Sequence, residues 1–255
     1  MDLRELAPDG SPARHPWELA RAAFVLDRLS AAGLSDGSRV LDVGAGDGWL
    51  AGELRRAVGC SVTCWDEGYS DDDEGRLRAA GLEACRAPPA GPFDAALLLD
   101  VLEHADDDVA LLGAVVARVR AGGRLLVTVP AWPALFSEHD RALLHRRRYT
   151  PASCRRLLVE GGLRVDEAGG LFHGLLAPRA LAVLVERLGV APRAAHVGIG
   201  RWRHGPAVTR ALVAGLRAEQ RVSALAARHG LELPGLSWFA LCTLPAASPW
   251  QSGSP

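Results

Sequence analysis

The chain of 255 residues contains no lysine and a single isoleucine, Ile199, so arginine carries all of its basic side-chain charge apart from histidine. Together with an excess of alanine and glycine, this bias is typical of GC-rich coding. The presence of an individual arginine is therefore weaker evidence for a functional role. Acidic and basic residues nearly cancel, with a formal net charge of −1. Nucleic-acid and membrane-surface proteins need a field of one sign, so we expect neither a nucleic-acid partner nor stable membrane insertion.

Cysteine is also scarce and shows no pattern. The five cysteines are odd in number and form no C-x-x-C pair; they are Cys60, Cys64, Cys85, Cys154 and Cys242. This favours reduced thiols over a disulfide framework or a zinc site. The N-terminus lacks the features of a signal peptide. The most apolar window, residues 171–190, carries a proline and several charged residues, which a membrane helix would avoid. We therefore expect a cytoplasmic protein.

The hydrophobic pattern predicts strands and helices in alternation. A capping helix opens at His15, with a proline suited to its first turn, and ends at Gly33. Buried strands are predicted over residues 38–44, 61–66, 82–85, 93–100 and 124–129, with helices over 49–58 and from Asp106 to Arg120. This order calls for a parallel sheet with right-handed crossovers.

The C-terminal half begins with an irregular segment after Pro130. A helix is predicted from the Thr150-Pro151 cap to Glu160, followed by a strand over 163–168, helices over 175–188 and 206–229, and a last strand over 236–244. We divide the chain into a cap region (1–35), a core (36–170 and 232–245), a helical insertion that suits a substrate lid (171–231) and a disordered tail (246–255).

The stretch Val40–Leu50, VLDVGAGDGWL, predicts a strand that ends in a glycine turn before a helix. Its third glycine comes one residue too early for the G-x-G-x-x-G turn of dinucleotide-binding proteins. Asp42 would repel a pyrophosphate, but it suits a cofactor that carries positive charge, such as S-adenosylmethionine. Asp66, at the end of the next strand, is placed to accept both ribose hydroxyls.

With these features, LDVGAGDG resembles the first motif of the class I S-adenosylmethionine-dependent methyltransferases. The resemblance covers roughly residues 38–170 and the last strand. It implies an α/β fold with a Rossmann-like seven-stranded sheet, helices on both faces, and an antiparallel last strand beside the fifth. The helical insertion then lies between strands six and seven.

The same resemblance implies where S-adenosylmethionine binds. Residues of the turn would surround the methionine part, Asp66 and Glu67 the ribose, Arg86 and Ala87 the adenine edge, and Asp100 and Val101 the sulfonium side. The turn residues are Asp42, Gly44, Ala45, Gly46, Asp47 and Gly48. Many members place an acid after the third strand to meet adenine, and Arg86-Ala87 supplies none, so backbone contacts would serve there.

The segment Asp100–His104, DVLEH, follows the fourth strand at the edge where such sheets bind ligands. It resembles the equivalent stretch of small-molecule methyltransferases, including the ubiquinone-type O-methyltransferases. The spacing of Asp100, Glu103 and His104 suits a metal if the segment is helical. A structural role and substrate contact are the other interpretations. Of these interpretations we adopt substrate contact for His104, and we predict no metal ligand.

A second cluster, His139–Thr150, HDRALLHRRRYT, follows the fifth strand and resembles a segment of a bacterial subgroup of these enzymes. His139 or His145 titrates near neutrality and can remove a proton, with Asp140 beside them as a further catalytic candidate. The predicted substrate contacts here are Arg148, which can clamp an anion, and Tyr149.

The subgroup also carries a histidine, tryptophan and arginine near the N-terminus, as His15, Trp17 and Arg21 do here. Trp17 is a predicted substrate contact. Arg21 either reaches the cofactor carboxylate or lies on a solvated helix face.

These observations predict methyl transfer from S-adenosylmethionine to a small molecule, at an oxygen nucleophile such as a hydroxyl or carboxylate, in secondary metabolism. N-methyl transfer, a non-catalytic cofactor-binding scaffold and another sulfonium reaction are the alternatives. An RNA substrate is disfavoured because the sequence shows no wide basic face.

Overall fold

The computed structural model describes residues 14–189, 202 and 204–246. The strands are β1 (Arg39–Val43), β2 (Ser61–Trp65), β3 (Glu83–Cys85), β4 (Phe93–Leu99), β5 (Val119–Pro130), β6 (Arg164–Leu171) and β7 (Ser237–Thr243). The helices are α1 (Pro16–Ala31), α2 (Trp49–Val58), α3 (Asp71–Ala79), α4 (Asp108–Val116), α5 (Glu138–Ala142), α6 (Pro151–Glu160), α7 (His173–Arg187) and α8 (Pro206–Arg228). Residues 1–13, 190–201, 203 and 247–255 lie outside the described part, and they include all but the first residue of the tail predicted over 246–255.

The seven strands form one sheet in the order β3-β2-β1-β4-β5-β7-β6. Strands β1 to β5 pair in parallel, whereas β7 runs antiparallel to both β5 and β6. The predicted Rossmann-like sheet with an antiparallel last strand is confirmed. The parallel strands all end at one edge, which brings the glycine turn after β1, Asp66 after β2 and Asp100 after β4 together.

Helices cover both faces of the sheet, and each face has its own apolar core. One core includes Phe24 of α1, Leu54 of α2 and Ala224 of α8. The other includes Leu112 of α4 and Leu158 of α6. This explains why the central strand β4 is an almost unbroken apolar run, since a strand covered on both faces has no solvent side.

Two elements differ from the sequence prediction. Helix α3 was not predicted; its N-terminus is fixed by a capping box in which Ser70 and Asp73 satisfy each other's backbone amides. Strand β5 begins at Val119 rather than Arg124, because Val119 pairs with Phe93 across a register shift. Arg120 therefore lies in β5 and not at the end of a helix, whereas Arg118 lies just after α4 and donates to the Ala114 carbonyl of that helix (2.6 Å).

Two helices, α7 and α8, lie between β6 and β7, as the predicted insertion requires. Helix α8 packs against the sheet at β6, where Ser223 Oγ donates a hydrogen bond to the Gly170 carbonyl (2.5 Å). Helix α7 contacts the segment after β5, where Arg179 donates to Ser137 Oγ (2.6 Å) and Asp140 (3.0 Å). Within the described residues, no helix combines the length and apolar character needed to cross a bilayer.

Candidate active site

The glycine turn after β1 adopts a backbone that side chains disfavour. Gly44, Gly46 and Gly48 all have positive φ angles, of 63°, 58° and 71°. A Cβ added at Gly44 would lie 2.8 Å from Cγ2 of Val101, and one at Gly48 would collide with Leu77. The glycines are therefore required by conformation and by space, and they leave the turn open to a ligand at the edge of the sheet.

Asp66 lies directly after β2 and closes the turn from the other side. Its carboxylate accepts hydrogen bonds from the amides of Gly46 (3.1 Å) and Gly68 (2.9 Å). It faces a cavity of about 830 Å³ that Gly44, Glu67 and Val101 also line. The fixed carboxylate keeps further lone pairs, which the sequence analysis assigns to the two ribose hydroxyls.

The predicted adenine edge is arranged differently from the expectation. The Arg86 guanidinium turns to α3, where it pairs with Asp71 and Glu74. Pro88, two residues further on, lines the cavity, and Trp65 lines it as well. Trp65 also donates its Nε1 hydrogen bond to the Arg86 carbonyl (3.3 Å). Within the described residues, neither Arg86 nor Ala87 is among those that line the cavity.

A smaller cavity, with a volume of about 20 Å³, also adjoins the glycine turn. Asp42, Gly44, Ala45, Asp47 and Arg21 line it. Burial raises the pKa of Asp42 to about 6, although the Arg21 charge partly opposes this. A cofactor ammonium group would offset that cost of burial by favouring the carboxylate. Asp47 pairs with Arg14, which ties the start of α1 to the turn.

Asp100 connects the cofactor cavities to a third cavity. Its backbone has a φ of 58°, a strained value for a residue other than glycine. Its carboxylate accepts hydrogen bonds from Arg21 Nη1 (2.5 Å) and Thr128 Oγ1 (3.1 Å). Asp100 lines both the large cofactor cavity and the third cavity, so it marks the boundary between them.

Arg21 does not lie on a solvated helix face, which corrects that interpretation of the sequence. It is 6% exposed, and its guanidinium stacks on the Trp17 ring at 4.2 Å from the centroid. Asp100, the acid directly after β4, is the sequence signal that could have identified Arg21 as buried, because a buried arginine requires an acidic partner. We call the third cavity the acceptor cavity.

The acceptor cavity has a volume of about 270 Å³. It brings together residues that are far apart in sequence but were predicted for catalysis or substrate binding: Trp17, His104, His139, His145 and Arg148. His15, Arg21 and Glu103 join them, and Leu143, Leu175 and Leu236 supply apolar surface. The wall thus combines apolar area with four histidines, which suits a mostly apolar acceptor that carries an ionisable group.

Asp140 lies behind this wall and is fully buried. Its carboxylate binds Nδ1 of His145 (3.1 Å), Nε of Arg148 (2.7 Å) and Nη2 of Arg179 (3.0 Å). Burial alone would raise the pKa of Asp140, but these partners outweigh it and hold the pKa well below its usual range. Asp140 is therefore a permanent carboxylate that orients His145 and Arg148.

His139 precedes Asp140 in α5; it is half-buried and lines the acceptor cavity. Burial lowers the pKa of His139, and the positive charge of Arg179 lowers it further. The imidazole is therefore neutral at pH 7, which is the form that can accept a proton.

Tyr149 does not lie among the residues that line the acceptor cavity in the described part of the chain. Its ring is buried, and its hydroxyl donates to the Leu102 carbonyl (3.1 Å) and approaches Asp108 (2.7 Å). The Tyr149 hydroxyl thus fastens the loop after β5 to the segment after β4.

Comparison with known proteins gives the family. The family model described as a methyltransferase domain matches residues 17–190. A ubiquinone biosynthesis O-methyltransferase of Xanthomonas axonopodis pv. citri is 30% identical over 183 residues, covering 62% of this chain and 74% of that protein. One from Xylella fastidiosa (strain M23) is 33% identical over 181 residues, covering 62% and 72%.

Solved structures give the fold independently. YjhP from Escherichia coli superposes with a TM-score of 0.53 at 16% identity, covering 96% of this chain and 99% of that one. The [4+2]-cyclase SpnF superposes with a TM-score of 0.53 at 18% identity, covering 93% and 86%. The chain therefore belongs to the methyltransferase domain family and is an S-adenosylmethionine-dependent methyltransferase.

Proposed function

We propose that the enzyme transfers the methyl group of S-adenosylmethionine to an oxygen nucleophile, a hydroxyl in particular, of a small molecule held in the acceptor cavity. The observation that carries the proposal is Asp100, which borders the cofactor cavity on one side and the acceptor cavity on the other. An acceptor at this boundary would meet the sulfonium methyl group directly. The curated relatives are named as O-methyltransferases, which supports an oxygen acceptor.

The reaction is an in-line displacement. A lone pair of the acceptor oxygen forms the new oxygen–carbon bond while the carbon–sulfur bond breaks, and its electron pair stays on sulfur as S-adenosylhomocysteine. The hydroxyl proton passes to a base at the acceptor cavity. Alignment of oxygen, methyl and sulfur supplies much of the rate, and the walls formed by Trp17 and Arg21 would hold the acceptor in line.

His139 is the better placed of the two histidines to accept the proton. It is neutral at pH 7 because burial lowers its pKa, whereas Nδ1 of His145 is engaged by Asp140. Helix α7 of the insertion would close one side of the cavity, since its Leu175 contributes to the wall. We thus assign the insertion the role of a lid over the acceptor.

We expect His139→Gln to lower kcat/KM by roughly 100-fold, in line with the usual contribution of a general base. In the wild type, the rate should fall as the pH drops below the lowered pKa of His139, because protonation removes the base. The variant should lose this acid limb. A pH–rate profile measures both effects, with calorimetric S-adenosylmethionine binding as the control for folding. An unchanged profile would exclude His139.

The acceptor atom is tested with matched compounds. The protein is incubated with deuteromethyl-labelled S-adenosylmethionine and pairs of aromatic compounds that differ only in a hydroxyl or an amino group. We expect label in the hydroxyl member of a pair and S-adenosylhomocysteine in equal amount, by mass spectrometry. Label confined to amines would replace O-methylation by N-methylation.

A further inference from the structure

Glu103 occupies an unusual position in the acceptor cavity. It follows β4 by four residues, it is fully buried, and it belongs to the cavity wall. Neither of its carboxyl oxygens has a hydrogen-bond partner within the described part of the chain. A buried carboxyl group without partners is costly. The position therefore calls for a ligand that satisfies these oxygens.

Two histidines approach the same point. The rings of His104 and His145 meet edge to face, with their centroids 4.7 Å apart. One ligand atom from each of Glu103, His104 and His145 lies within 4.8 Å of the other two. A cation bound at about 2.1 Å from each holds its ligand atoms roughly 3 to 4 Å apart. The three groups therefore need to close by about 1 to 2 Å at most.

The interactions around His145 fix it as a ligand. Its Nδ1 lies 3.1 Å from Asp140, whose carboxylate is permanently charged because two arginines also bind it. Nδ1 therefore carries the proton. The lone pair of Nε2 is then available to bind a cation in the cavity. This carboxylate–histidine arrangement is the one that orients imidazole ligands in metal sites.

Backbone contacts hold the two contributing segments together. The Arg146 amide donates to the Glu103 carbonyl (2.8 Å), and Arg146 Nε donates to the His104 carbonyl (2.9 Å). The adjacent residue in sequence is His145, so these bonds place it beside the other two ligands. The site is prepared by the fold and does not depend on a mobile side chain alone.

We propose that Glu103, His104 and His145 bind a divalent transition-metal cation at the acceptor end of the active site. Two imidazoles and one carboxylate leave open coordination positions, which face the acceptor cavity. Asp100, which the sequence pattern grouped with Glu103 and His104, is not a ligand, because Arg21 and Thr128 occupy its carboxylate.

The catalytic part of this inference rests on the proposed function. A cation bound here would coordinate the acceptor hydroxyl, lower its pKa and stabilise the alkoxide or phenolate that attacks the methyl group. The proton would still leave to His139. Cation binding itself requires no assumption about the acceptor, so the two parts can fail separately.

The test uses untagged, chelator-treated protein titrated with Co²⁺, followed by visible absorption and by calorimetry. We expect one Co²⁺ per chain with ligand-field bands in the wild type. Glu103→Gln and His104→Gln should each weaken binding at least about 10-fold, as loss of a ligand requires. His139→Gln, in the same cavity but outside the set, should bind Co²⁺ as the wild type does.

S-adenosylmethionine binding by each variant shows that it is folded. The proposal is overturned if wild-type protein takes up no stoichiometric Co²⁺, or if two folded ligand variants bind it with unchanged affinity; Glu103 is then a protonated carboxyl group. Stoichiometric binding without any methyl transfer would leave the site intact and refute the proposed function instead. Full methyl transfer by metal-free protein would refute the catalytic role of the cation.

Discussion

Asp66→Ala is expected to weaken S-adenosylmethionine binding by roughly 100-fold, because the two charge-assisted hydrogen bonds that we propose it makes to the ribose would be worth about 3 kcal/mol together. The substitution also removes the acceptor for the amides of Gly46 and Gly68, which loosens the turn around the cofactor. Isothermal titration calorimetry on the purified protein measures the change.

Asp72→Ala is the matched control for this result. Asp72 is an exposed acid in the first turn of α3, so its loss changes the net charge by the same amount without touching the cofactor cavity. Its S-adenosylmethionine affinity should stay within about twofold of the wild type. Equal affinities for the two variants would contradict the assignment of Asp66 to the ribose.

Asp140→Ala is expected to lower the free energy of unfolding by about 3 to 5 kcal/mol, the usual cost of removing one partner from a buried ion pair. Arg148, with 5% of its side chain exposed, and the largely buried Arg179 would be left without their carboxylate. For a chain of this size the midpoint of thermal unfolding should fall by roughly 10 °C. Differential scanning calorimetry measures it.

Glu138→Ala provides the control within the same short helix. Glu138 pairs with Arg141 at the surface, with more than half of each side chain exposed, and such pairs contribute about 0 to 1 kcal/mol. Combining Asp140→Ala with Arg179→Met should restore part of the lost stability, because one of the unpaired charges disappears. A thermal midpoint of Asp140→Ala equal to that of Glu138→Ala would show that the network carries no stability.

Much of the cofactor site was predictable because its signals are local. The three glycines of the turn need positive φ angles, and this requirement is visible in the sequence itself. Asp66 ends a strand next to β1, and the carboxyl ends of parallel strands share one edge. Helix α3 was missed because its apolar pattern is weak and its capping box alone marks it.

The acceptor site was predictable only as a set of candidates. The sequence places histidines, arginines and acids after β4 and β5, but their spacing is equally compatible with several groupings. The spacing groups Asp100 with Glu103 and His104 as metal ligands. In the structure, its carboxylate instead binds Arg21 of α1, which is 79 positions away in sequence. A contact of that separation depends on how α1 packs against the sheet, which no local pattern encodes.

The sequence by itself thus determined the cofactor class and the edge of the sheet where it binds, because turn conformation and strand endings are local properties. Only the tertiary structure decided which side chains share the acceptor cavity. Burial did this by forcing charges to find partners: Asp140 is surrounded by two arginines and His145. The same packing leaves the Glu103 carboxyl oxygens, beside His104 and His145, without a hydrogen-bond partner among the described residues.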